Sequence, residues 1–359
     1  MSEDTDVLIV GAGHGGLAVA HDLVRSGREV VLVDAHARIG DAWRLRWDSL
    51  RLFTPRDLNG LPGIRFPAGG DPFPNKDEVA DYHERYAHEM RFPRRLGTAV
   101  SALRGTAGAL EATVGADVIH ARSVVIAGGH FQAPRIPDFA ARLDPAVLQL
   151  HSRDYRRARD LPRGPVVVVG AANSGGEIAV EVARERPTTI AIGTRKPLPP
   201  KRFRSPTWWK LALLRDRVFH ERTAFVTWLP WPLRSGGYLE ADLDRAAATH
   251  GLRLAPRAVD AAGDAVRFAD GSDVSARTVI WATDSSQGEN PLQPPRIIAG
   301  GATSLIEISR HGRTPVPGLH RARPLPLCDL TSRARCRARH RPFGLTPRAT
   351  SRLRRALGS

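Results

Sequence analysis

A chain of 359 residues with 42% hydrophobic content has room for two cored domains, and only two cysteines, Cys328 and Cys336, exclude a disulfide framework or a multi-cysteine zinc site. The formal charge of +16 suggests a nucleic-acid partner until it is mapped: residues 320–359 hold 11 Arg, no Lys and one acid, so +10 lies in the last forty residues. Apolar runs stop at strand length and the N-terminus "MSEDTD" is acidic, which reads as a soluble cytoplasmic chain with neither a transmembrane segment nor a secretory leader.

The first element is "DVLIV", a β-branched run of the kind buried in a parallel sheet. It enters Gly11-Ala12-Gly13-His14-Gly15-Gly16, after which Leu17, Ala20, Leu23 and Val24 recur at helical spacing until Gly27. A second strand, "REVVLVDAH", closes on Asp34. Strand, glycine turn, helix and acid in this order form a dinucleotide fingerprint. Gly11 makes the turn, Gly13 lets a pyrophosphate approach, Gly16 lets helix and strand pack, and Asp34 is spaced to meet a ribose hydroxyl.

The plan recurs at "GPVVVVGAANSGGEIAVEVA", residues 164–183, with Gly170, Ala172 and Gly175 in the turn and Ile178, Ala179 and Val182 at helical spacing. The strand that follows, "TTIAIGTRK", ends in Arg195-Lys196, where a cation suits a 2′-phosphate. Two turns imply two dinucleotides: FAD at the first, beside an acid, and NADPH at the second, beside a cation. The fold class expected is α/β, two Rossmann-like domains with the NADPH domain inserted into the FAD domain. The bounds expected are 1–159 for the first FAD-domain segment, 160–283 for the NAD(P)H domain, 284–319 for a degenerate return, and 320–359 for an Arg-rich disordered tail.

Further stretches carry a resemblance. "IGDAWRLRWDSLRLFTPRDLNGLPG" (39–63), "FPNKDEVADYHERYA" (73–87), "VVIAGGHFQAPRIP" (124–137), "HSRDY" (151–155) and "TVIWATD" (278–284), in this order beside both turns, resemble the flavin-containing monooxygenase superfamily and its YUCCA-like branch. The resemblance implies FAD contacts from Gly11, Gly13, Gly16, Asp34, Gly40, Trp43 and Arg44, and NADPH contacts from Gly170, Asn173, Ser174, Gly175 and Arg195. It implies that NADPH reduces the flavin and that O2 then adds, giving a flavin hydroperoxide that oxygenates a small organic substrate. No Ser–His–Asp or paired-carboxylate constellation stands out, no metal is implied, and no catalytic side chain is assigned. The sequence departs from the family pattern at Asp41, Gly128 and Asp284, where the family has Gly, Thr and Gly.

Residues 201–238 hold four of the seven Trp among many Arg and read as a helical insertion on the NADPH domain, with a lid or membrane-surface segment as the alternative. After Asp284 the pattern fails. "TPVPGL" (314–319) resembles the turn before the family's last core strand, but an Arg-, Pro- and Ala-rich run follows, whose composition is that of a disordered segment. Phe343 is its one aromatic residue, so base stacking is unsupported and no specific nucleic acid is expected. Two other readings stay open: an NAD(P)H:flavin oxidoreductase without productive oxygenation, and an inactive flavoprotein-like chain with an altered C-terminus.

Overall fold

The computed structural model describes residues 2–106, 109–129, 133–193, 240–283, 285–286, 305–308 and 319–322. Strand β1 (Ser2–Val10) leads through the first glycine turn into helix α1 (His14–Arg25) and back to β2 (Val30–Asp34), parallel to β1 with Val7 opposite Val30. Helix α1 stops because Gly27 takes φ +76°, and Gly27 and Arg28 donate back to Val24 and Leu23, so the last carbonyls are satisfied. Beyond the short helix α2 (Asp41–Arg44), α3 (Lys76–Glu89) opens on a capping box between Asn75 and Glu78. The sheet continues with β3 (Arg94–Leu96) beside β2, and an antiparallel meander of β4 (Val100–Thr106), β5 (Ala109–Val114) and β6 (Asp117–Ile126) returns the chain to the far side of β1.

The chain then leaves this sheet through β7 (Ala133–Pro134). A second, wholly parallel sheet has the order β11-β10-β9-β15-β8, from β8 (Leu148–His151), β9 (Val166–Val169), β10 (Thr188–Ala191), β11 (Arg253–Ala255) and β15 (Thr278–Trp281). Helices α4 (Asn173–Ala183) and α5 (Glu240–His250) cover one face. The antiparallel β12 (Ala258–Ala262), β13 (Ala265–Phe268) and β14 (Asp273–Ser275) cover the other. This sheet takes its edge strand from Leu148–His151, ahead of the boundary at 160 expected from the glycine turn. The reason is tertiary: β8 pairs with β15 rather than with its sequence neighbours.

The chain returns through β16 (Ser285–Ser286), which pairs antiparallel with β7. Strand β17 (Leu305–Ile308) then lies parallel to β6, and β18 (Leu319–Ala322) lies parallel to β17, so the first sheet runs β18-β17-β6-β1-β2-β3. Residues 320–322 therefore belong to a strand, although composition placed them in the tail; the exposed edge of β17, not local propensity, supplies their partner. The Trp-rich segment 201–238 and the rest of the tail lie outside the described residues.

Both sheets are buried on two faces, as parallel sheets require. Leu17, Ala20, Tyr82 and Tyr86 pack on one face of the first sheet, and Leu103, Leu110 and Ile119 on the other. In the second, Ile178, Val182 and Leu243 face Val166 and Val168, while Trp281 and Phe268 fill the opposite side. Trp43 and Leu52 pack against a core cluster of each sheet, which joins the two domains.

Candidate functional site: two glycine turns at the ends of two parallel sheets

The two turns repeat each other bond for bond. Gly11 donates to the Val33 carbonyl at 2.7 Å, and Ala127, just past β6, donates to Val10 at 2.7 Å. Gly170 donates to Ala191 at 3.1 Å, and Ala282, just past β15, donates to Val169 at 2.8 Å. Gly11 and Gly170 take φ +106° and +107°, and a Cβ on either would strike the carbonyl of Ala127 or Ala282. Gly16 and Gly175 sit so close to the carbonyls of Gly11 and Gly170 that no side chain fits. Ala127-Gly128 and Ala282-Thr283 therefore press on the turns and hold them shut from behind.

In front of each turn the chain is open. Among the described residues, Gly13 has no neighbour within 4 Å of a Cβ position. Its backbone (φ −79°, ψ −172°) is extended, and Ala172 has nearly the same angles (φ −72°, ψ −177°) with its methyl exposed. Alanine therefore costs the second turn no backbone strain. Neither helix has a side-chain cap or an acidic residue in its first turn, so the N–H groups and positive dipole ends of α1 and α4 face outward. Asn173 and Ser174 lie half-buried in the first turn of α4. An open approach before uncapped amides fits the diphosphate of a dinucleotide at the first turn; at the second, the uncapped amides are the same but the Ala172 methyl narrows the approach.

Asp34 closes the first site. Its Oδ2 accepts from the Ala12 amide at 2.7 Å, and its Oδ1 accepts from the amide and from Nδ1 of His36, each at 2.8 Å. Burial opposes its ionisation, yet the hydrogen bonds from His36 and Ala12 outweigh it and hold the carboxyl below its ordinary value. The same bond pushes His36 up.

The stretch implied to lie along the flavin is built around Gly40, at φ +91°, where a Cβ would meet the Ala80 carbonyl oxygen of α3 at 2.5 Å. Trp43 is half-buried between the domains. Arg44 is engaged within the protein: it donates to the Ile39 carbonyl (2.8 Å), Asp41 (3.1 Å), Asp81 (2.8 Å) and Glu84 (2.8 Å). Asp41, the departure from the family's Gly, is neutralised there, its other oxygen accepting from the Arg38 amide at 3.0 Å. The arrangement makes Arg44 a brace for this stretch. Arg195 and Asp284 lie outside the described residues.

The structure adds residues that spacing alone did not single out. Lys76 is buried and donates to the Arg44 carbonyl at 3.0 Å, capping the end of α2. His151 accepts from the Arg153 amide at Nδ1 (3.2 Å), which leaves its Nε2 to donate to Thr283 in the returning linker (3.4 Å). Tyr155 and Ala158 bond Glu181 of α4 at 2.8 and 3.3 Å, and Ser49 of the first domain bonds the other oxygen of that carboxylate. The His-x-x-x-Tyr motif was legible; its acceptors were not, because they stand 132 and 26 positions away.

Among the described residues no helix is long and apolar enough to cross a membrane. Residues 8–208 match the pyridine nucleotide-disulphide oxidoreductase family. That span contains no cysteine, so it lacks the redox dithiol of disulphide reduction. An uncharacterized CzcO-like oxidoreductase of Geobacillus kaustophilus is 34% identical, over 89% of this chain and 91% of its own length. The indole-3-pyruvate monooxygenase YUCCA1 of Oryza sativa subsp. japonica is 32% identical over 58% of this chain and 53% of its own. A flavin-containing monooxygenase from Stenotrophomonas maltophilia superposes with a TM-score of 0.66 at 25% identity, covering 81% of each chain. With its duplicated glycine turns and inserted second sheet, the chain belongs to the pyridine nucleotide-disulphide oxidoreductase family and is an oxidoreductase of the flavin-containing monooxygenase type.

Proposed function

We propose that this chain is an NADPH-dependent monooxygenase that oxygenates a small organic substrate with O2. The observation that carries the reading is the pair of matching open turns at the carboxyl ends of two parallel sheets, where such sheets take ligands. Gly11, Gly13, Gly16 and Asp34 would hold FAD, with Gly40 and Trp43 along it and Arg44 bracing them. Gly170, Asn173, Ser174 and Gly175 would hold the nicotinamide nucleotide, with Arg195 on its 2′-phosphate. FAD, reduced by NADPH, supplies the activation of O2.

The chain's own contribution is placement. Uncapped helix ends bind the diphosphates, Asp34 ties a ribose-binding carboxylate to the turn, and Trp43 and Leu52 exclude water between the domains.

The test is anaerobic reduction of the FAD-loaded protein by NADPH and NADH, then admission of air with candidate substrates. Faster bleaching by NADPH, lost on Arg195→Ala, and oxygenated product in step with NADPH support the reading. Peroxide release with no oxygenated product points instead to an NAD(P)H:flavin oxidoreductase.

A further inference from the structure

His14, the first residue of α1, reaches across to His83 of α3. His14 Nδ1 lies 3.2 Å from His83 Nε2, with the rings tilted at 54°. His83 is 1% exposed. The remaining nitrogen of each ring, His14 Nε2 and His83 Nδ1, is buried with no hydrogen-bond partner among the described residues. Burial pushes His14 down to about 4 and His83 well below its ordinary value, so both rings are neutral at pH 7.

Two neutral imidazoles bring two N–H groups to one shared bond. If His14 donates, the spare N–H sits on His83 Nδ1, within α3. If His83 donates, it sits on His14 Nε2, at the start of α1. A buried N–H without a partner carries a full desolvation penalty, so the second arrangement is favoured wherever His14 meets an acceptor.

An open approach adjoins the ring. His14 directly follows Gly13, which faces open space, and α1 has neither cap nor first-turn acid. His83 stands three positions beyond Ala80, whose backbone packs on Gly40. The pair therefore bridges the Gly11–Gly16 turn and the Gly40–Trp43 stretch, the two segments read above as FAD contacts.

We propose that His14 is a further FAD-contact residue: His83 Nε2–H donates to His14 Nδ1, fixing the tautomer in which His14 Nε2–H donates to an anionic oxygen of the FAD diphosphate. His83 is then the positioning residue. The inference rests on the FAD reading above.

The test is FAD titration of the full-length apoprotein, followed by flavin fluorescence, with imidazole 15N spectra of the same samples. His14→Ala weakens FAD binding by about 10- to 100-fold, the loss of a hydrogen bond to a charged group. His14→Gln, which keeps an N–H near the Nε2 position, restores most of the affinity and keeps the test valid if the alanine variant misfolds. His83→Leu weakens binding less, by about 3- to 10-fold, because the tautomer is no longer imposed. In the FAD complex of the wild type, the Nε2 resonance of His14 is that of a protonated nitrogen. Equal FAD affinity of wild type and His14→Ala, or a lone pair on Nε2 in the complex, overturns the inference alone. A wild-type chain that takes no FAD overturns the FAD reading and the inference with it.

Discussion

Tyr155 donates its phenolic hydrogen to Glu181 across 2.8 Å, and the second oxygen of that carboxylate is bonded by Ser49 of the other domain. Tyr155 is 1% exposed; desolvation first and its hydrogen bond to Glu181 second push its hydroxyl far above the ordinary phenol range, so it stays a donor. One carboxylate thus clips the turn after β8, the helix of the second glycine turn and the first domain. Glu181→Ala, which strands three donors, is expected to cost about 2–3 kcal/mol, and Tyr155→Phe about 1 kcal/mol. A urea double-mutant cycle should return a coupling of about 1 kcal/mol. Simple additivity would show that the bond does not bind the junction.

The glycines of the first turn should separate stability from binding. Gly13→Ala enters a permitted backbone region and meets nothing within 4 Å, so apoprotein stability should hold within about 0.5 kcal/mol. FAD affinity should nonetheless fall by about tenfold or more, since the methyl stands in the approach to the amides. Gly11→Ala, at φ +106° and against Ala127, should destabilise the apoprotein by more than about 2 kcal/mol. Thermal melts and FAD titrations of both variants check the contrast.

The Asp34–His36 pair sets a pH window. Asp34 is depressed in the folded chain, so its contribution is present above the ordinary carboxyl value and is lost as pH falls through its folded value. His36 is raised, so its contribution is full below its ordinary value of 6.5 and is lost as pH climbs through its folded value. The pair therefore stabilises most between about pH 4 and 6.5. Because His36 is 41% exposed, solvent screening limits its share to less than about 1 kcal/mol. His36→Gln should flatten the loss of stability on going from pH 6 to pH 8 in melting curves; an unchanged slope refutes the assignment.

Asp41→Gly restores the residue usual in the superfamily, yet it should bring no gain in FAD affinity, because the Asp41 carboxylate is already matched by Arg44 and the Arg38 amide. It should instead cost about 1 kcal/mol by loosening the brace around α2. A glycine variant that binds FAD several-fold more tightly would mean that the charge does face the cofactor.

Much of this architecture was legible because its signals are local. "VLI" (7–9), "VVVV" (166–169) and "TVIW" (278–281) are apolar runs buried on both faces, and Gly11, Gly16, Gly170 and Gly175 sit where only a missing side chain fits. What escaped was set at a distance. His14 and His83 are 69 positions apart, and neither is unusual for its element. Strand β8 belongs to the second sheet through its pairing with β15, 130 positions on, counted from Leu148 to Thr278. Strands β17 and β18 arise in sequence without alternation because β6 offers an edge. Arg44 was implied only as an FAD contact, and its bonds to Asp81 and Glu84, 37 and 40 positions away, leave no mark in the local sequence.

The paired strands β7 and β16 have a consequence for modularity. Pro134 and Ser285 lie opposite each other, so the chain leaves the first fold and rejoins it at adjacent points. In an antiparallel ladder such partners stand about 5 Å apart, a gap that a two-residue hairpin spans. The second fold is thus a guest on a stalk, and the host's strand order is uninterrupted without it. Lineages sharing the host could exchange, resize or discard the guest by editing one spot in the gene, leaving the glycine turn of the host untouched.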